Sequence, residues 1–171
     1  MGEHRVTTLD RLQRRAAPTL LALIVAGPAA AGLAIDPALA CGLLGDRGLP
    51  TRGGYQDGGQ GVFRCASIGQ RLPRASRSPD EVRFAATGDR GRVRQLQLEL
   101  VRGSRGDQRS ALDAFVELAQ TLVVRSLGQP LPDDARRAIV MGIAGAWRVG
   151  RSEIGLEKIV GALPMLRLVI R

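Results

Sequence analysis

The clearest pattern along the chain is strict alternation. Between Arg92 and Val101, Leu96, Leu98 and Leu100 alternate with Gln95, Gln97 and Glu99. A period of two puts the leucines on one face of a strand and the polar groups on the other. The same period marks residues 81–87, with Val82, Phe84 and Ala86 inward, and 62–68, with Phe63 and Cys65 on one face. It returns at 152–159, through Ile154 and Leu156, and at 165–171, through Leu166, Leu168 and Ile170.

Between these strands the period lengthens. Over 108–127, Leu112, Phe115, Val116, Ala119, Leu122, Val123 and Leu127 fall on one helical face. Gly128 closes that helix, and Pro130 and Pro132 separate it from a second, predicted over 133–147. Asp133 and Asp134 occupy its first turn, where the helix dipole favours acids, and Trp147 ends it. A short helix is expected at 36–44, with Asp36 as N-cap and Pro37 at the first position. Residues 45–61 are glycine-rich and read as a loop; 69–80 are proline-punctuated and read as a connector. The order is α-β-β-β-α-α-β-β. It predicts an α+β fold, a mostly antiparallel sheet of about five strands with two or three helices on one face.

The N-terminal 34 residues follow different rules. Arg5, Arg11, Arg14 and Arg15 precede the uncharged run Thr19–Gly27, and Pro28 and small residues follow. A basic start, a short apolar stretch and a small-residue exit is the layout of a secretory signal peptide. Ala29–Ala31, Gly32–Ala34 and Ala38–Ala40 each present small residues two apart. Cleavage after Ala31 or Ala34 is expected, leaving one domain over 35–171. An uncleaved anchor would have to span with Thr19–Ile35, short for that purpose and interrupted by Pro28. A lipoprotein signal ending at Cys41 would be interrupted by Asp36-Pro37.

Cys41 and Cys65 are the only cysteines. In an exported chain an even number of cysteines is expected to pair. Seven glycines of the loop they would close fall between Gly45 and Gly61, so a crosslink would offset a large entropy cost. Two cysteines without histidine do not complete a zinc site, and the spacing is far from a Cys-x-x-Cys redox pair.

The formal charge is +9, almost all of it arginine; Lys158 is the only lysine. Arg71, Arg74 and Arg77 fall in one loop, and Arg90, Arg92, Arg94 and Arg102 flank one hairpin; of these, Arg71, Arg74, Arg77, Arg90, Arg92 and Arg94 are the candidate anion-binding residues. Nucleic acid is disfavoured, because stacking aromatics are not interleaved with them.

The sequence offers no catalytic, cofactor or metal motif. Its single histidine, His4, lies in the segment expected to be removed. The glycine-rich stretch at 53–61 lacks the Lys-Ser/Thr of a phosphate loop, and Gly103-Ser104-Arg105-Gly106 has the wrong spacing for a nucleophile elbow. Paired carboxylates remain an option for a small hydrolase. The candidates are Asp57, Asp80, Glu81, Asp89, Glu99, Asp107, Asp113, Glu117, Glu153 and Glu157.

Ala40-Cys41-Gly42-Leu43-Leu44, Gly48-Leu49-Pro50, Val62-Phe63-Arg64-Cys65, Trp147 and the closing Leu166–Ile170 strand resemble an uncharacterised exported domain family of alphaproteobacteria. That resemblance covers roughly 35–171 and implies an envelope compartment and a Cys41–Cys65 bond. The element order is similar to that of type III secretion chaperones, departing from it by the helix at 133–147. The expected function is a non-enzymatic periplasmic or secreted interaction module, binding a protein or an anionic envelope polymer. A carboxylate-dependent hydrolase and a polyanion binder are the alternatives.

Overall fold

A computed structural model describes residues 33–72, 79–103 and 108–171. The segment expected to direct export therefore lies outside the described residues up to residue 32, as do Arg74, Arg77 and Asp107.

The chain opens with helix α1 (Pro37–Gly42) and a single 3-10 turn at Gly45–Arg47. Asp36 caps α1 as expected: its Oδ1 accepts from the amides of Ala38 at 2.8 Å and Leu39 at 3.4 Å. Strands β1 (Thr51–Asp57), β2 (Phe63–Ser67), β3 (Gln70–Arg71), β4 (Glu81–Asp89) and β5 (Arg92–Val101) follow. Then come α2 (Gln108–Leu127), α3 (Asp133–Met141), β6 (Gly145–Val149), β7 (Ser152–Ile159) and β8 (Met165–Ile170). The α+β class holds, with an eight-stranded antiparallel sheet in place of the five strands expected. Its order is β1-β2-β4-β5-β8-β7-β6, and the short β3 pairs with β4 beyond the end of β2.

Three elements differ from the sequence expectation. The region 45–61 contains β1, which pairs with β2 from Thr51↔Ser67 to Asp57↔Phe63 around an irregularity between Arg52 and Gln56. Gly53 and Gly54 occupy that irregularity at φ +74° and +67°, so β1 shows no alternation to read. The connector 69–80 contributes β3, two residues held by Val82 and Glu81. The helix expected to 147 stops at Met141, because Gly142 turns left-handed at φ +63° and its amide closes on Ala138 and Ile139. Trp147 therefore stands in edge strand β6, opposite Ile154.

One sheet face is apolar and carries the helices. Val82, Phe84, Leu96, Leu98, Leu100, Ile154 and Leu168 are buried on it. Phe115, Ala119, Leu122 and Val123 of α2 and Ala135 and Ile139 of α3 meet them, as the helical period requires. Each such side chain contributes about 1.5–3 kcal/mol by leaving water. The Cys41–Cys65 disulfide is present, with Cα atoms 5.9 Å apart, and ties α1 to β2. Leu33 is also packed in this core, 5% exposed, its amide donating to the Val93 carbonyl at 3.0 Å.

The opposite face is polar and ordered in rows across the strands. Arg83, Glu99, Arg167 and Glu157 follow one another through consecutive pairings of β4, β5, β8 and β7. Arg167 Nε reaches Glu99 Oε1 at 2.8 Å, and its Nη1 reaches Glu157 at 3.5 Å. The next row is uncharged: Ala66, Ala85, Gln97, Val169, Gly155 and Ala146.

Candidate functional site

The inward stripes of the sheet end unevenly. On β5 the stripe Leu96, Leu98, Leu100 continues to Arg102; on β4 the stripe Phe84, Val82 continues back to Asp80; on β7 Ile154 and Leu156 lead to Lys158. Charged groups therefore stand where the apolar core gives out. Register fixes their relation. Val82, Leu100, Leu166 and Lys158 form the last inward row, and Arg102 and Pro164 lie one step beyond it, joined by a 2.9 Å bond from the Arg102 amide.

Asp80 is 1% exposed. Its Oδ1 accepts from the Gly103 amide at 2.8 Å and from Arg102 Nε at 3.4 Å. A buried carboxylate needs such partners, because desolvation would otherwise drive it neutral. Arg102 is thus fixed at the lip of the sheet. Lys158 has no ion-pair partner among the described residues. Strand spacing and rise place its Cα about 12 Å from that of Arg102.

Two clefts adjoin here and share Arg102 and Gly103. The first, about 310 Å3, opens between the sheet end, the start of α2 and the end of α3. Leu112, Met141, Met165 and Leu166 form its apolar walls, with Arg102 and Lys158 on its rim. The second, about 300 Å3, lies toward the polar face, with Arg71, Arg83, Arg102 and Glu81 around it and Leu163 beside them. Exposed apolar groups border this end of the molecule: Met141 at the end of α3 and Ile143 after it, and Val160 (84% exposed) and Leu163 in the β7–β8 turn.

The candidate arginines are not brought together. Arg71 lines the second cleft through its place on β3. Arg90, Arg92 and Arg94 sit at the opposite end of β4, about 26 Å away at the usual rise per residue. Arg94 is engaged with Asp89, Nη2 to Oδ2 at 2.9 Å, and that arginine holds the Asp89 carboxyl below its ordinary range. Arg74 and Arg77 lie outside the described residues. Arg83, Arg102 and Lys158 belong to the clefts and were not among the six. The signal for Arg102 and Lys158 was a charge at inward parity directly after an apolar stripe.

Of the candidate acids, Glu99 and Glu157 converge on Arg167, while Glu81 and Asp89 each sit beside an arginine of their own. Glu81 pairs with Arg83 at 2.5 Å, Glu99 with Arg167, and Glu157 with Arg167 and Arg171. No group of three or more metal-ligating side chains occurs among the described residues.

Compared with known protein-family models, curated proteins and solved structures, the chain matches none.

Proposed function

We propose that the protein is an exported, non-enzymatic binding module. Its ligand carries an anionic group on an apolar body, and it docks in the cleft between Arg102 and Lys158. One observation carries this reading: Lys158 stands on the core-facing side of β7, beside the Leu112/Met141/Met165/Leu166 walls, with no acid paired to it among the described residues. A cation over an apolar cleft is the arrangement that favours an amphipathic anion. The Cys41–Cys65 bond fits an oxidising envelope compartment. The polar face contributes little net charge to binding, since its arginines alternate with acids in register.

The test uses decanoate and decyl phosphate as probes, with sodium sulfate as a head-group control, and follows backbone amide shifts by NMR. Shifts are expected around Leu112, Met141, Lys158 and Met165. Lys158→Glu should weaken binding by about tenfold, the scale of one charge-assisted contact. Arg92→Glu, at the far end of β4, should leave it unchanged. Binding unaffected by Lys158→Glu, or no binding of either amphiphile, would reject the site. Retention on heparin that both variants weaken equally would favour the polyanion reading.

A further inference from the structure

We infer that the polar face of the sheet is the interface of a symmetric dimer. Its occupant is a second copy of this chain, packed face to face about a two-fold axis that runs along the strands between β5 and β8. The central charged row carries the inference. Arg83, Glu99, Arg167 and Glu157 alternate in sign across β4, β5, β8 and β7, one charge per strand. The helices pack on the other face, and the Arg83 and Glu157 side chains are 52% and 44% exposed.

Such an axis exchanges β4 with β7 and β5 with β8, and keeps each residue at its height along the strands. Arg83 then meets Glu157 of the second copy, and Glu99 meets Arg167 of the second copy. Each contact occurs twice, so every charge of the row faces its opposite. Neighbouring placements lose this. An axis lying on β5 sets Glu99 over Glu99, and one on β8 sets Arg167 over Arg167. An axis across the strands puts each charge over its own copy. Opposed potentials of this kind fix register and exclude wrong partners. An anionic polymer gains nothing comparable, because the row offers it as many acids as arginines.

The flanking rows fit the same axis. Ala85 meets Gly155 of the second copy, and Gln97 meets Val169 of the second copy. Two rows along from the charges, Thr87 meets Glu153 and Gln95 meets Arg171, both hydrogen-bonding combinations. Across these three rows like charges meet only at the outer strands, Arg64 against Arg148, where water screens them. Six strands about 4.8 Å apart and three rows about 6.8 Å apart give a face of roughly 600 Å2. A pair would bury about 1,200 Å2, the low end for specific association, so a weak and salt-sensitive dimer is expected. The Arg102/Lys158 cleft opens between the sheet and its helices, so the ligand reading and this one stand or fall separately.

The full chain would be expressed in a bacterial host and its assembly followed by sedimentation velocity from about 1 µM to about 500 µM, against the protomer mass from mass spectrometry. A dimer with a dissociation constant of tens of micromolar is expected at low salt, weakening at least tenfold by about 0.5 M NaCl. A protomer at every concentration overturns the inference. Arg83→Glu and Glu157→Arg should each weaken self-association by about tenfold or more, since each sets like charges face to face. An equimolar mixture of the two should dimerise again, because each variant then supplies the charge the other needs. A dimer that neither reversal weakens rejects this face, and a mixture that stays protomeric rejects the axis. Ala85→Arg leaves the whole row in place and should block close approach. Dimerisation that survives it also rejects the face, even if a charge reversal fails to fold.

Discussion

Arg125, near the end of α2, grips Asp46 with both guanidinium arms, Nη1 to Oδ1 at 2.5 Å and Nη2 to Oδ2 at 2.8 Å. Nη1 also donates to the Leu43 carbonyl at 2.6 Å, so one side chain secures the turn after α1 to the longest helix. This hydrogen bonding holds the Asp46 carboxyl down at about 2, against 3.8 for the free side chain. A depressed carboxyl contributes stability that is present above pH 4 and is lost as the pH falls from about 4 to about 2. Asp46→Asn should therefore melt below the wild type at pH 6, with the gap closing by pH 2. Both groups are solvent-exposed, so added salt should narrow the gap too. Melting curves at pH 6 and pH 2 decide it; a gap that persists at pH 2 would mean that the side chain acts through something other than its charge.

The disulfide spans 24 positions that include the left-handed glycines of β1. Reduction, or replacement of both cysteines by alanine, should cost about 3 kcal/mol. Urea midpoints with and without reductant give the number. Hydrogen exchange should show the loss concentrated in α1, β1 and β2. A uniform loss across the sheet would show that the crosslink does not act locally.

Asp80→Ala should cost roughly 3 kcal/mol, because it strips a buried partner from Arg102 and from the Gly103 amide. The double variant Asp80→Ala/Arg102→Met should recover part of that loss by removing the stranded charge. Additive losses would indicate that the two residues are energetically independent.

Gly145 lies under the ring of Trp147: a Cβ there would come within 2.6 Å of Cη2 and 2.8 Å of Cζ2. Gly145→Ala should push the indole outward and cost about 1–2 kcal/mol. Trp147 is the only tryptophan, so its emission reports the movement directly. A red shift is expected, and unchanged emission would show that the ring accommodates the methyl group in place.

The strands that the sequence announced are those with one dry face and one wet face. Leu96, Leu98 and Leu100 alternate because β5 lies at the centre of the sheet, with helices on one side and water on the other. β1 has no such contrast. It is an edge strand bent at Gly53 and Gly54, and pairing with β2 holds it where its own residues favour a turn. β6 was hidden for another reason. Gly142, Ile143 and Ala146 continue a helical spacing, and only the left-handed Gly142 shows that the chain has already turned. The site was partly visible. Arg102 and Lys158 each extend an apolar stripe by one inward position, which marks where a core ends. That Arg71 belongs near Arg102 depends on β3 pairing with β4, and two residues carry no periodic signal. Nor does proximity in sequence say that Arg71 and Arg92 pair with opposite ends of β4.

β8 is the only described strand that touches both β5 and β7. Without it the sheet falls into two pieces, β1 to β5 and the β6–β7 hairpin. Its pairing with β5 joins Leu96 to Ile170, a separation of 74 positions (170 − 96). In order of synthesis β8 follows every other strand of the sheet. A chain threaded through a translocation pore from its N-terminus would thus carry seven strands across before the seam between them could close. Such a closure is slow by loop entropy alone.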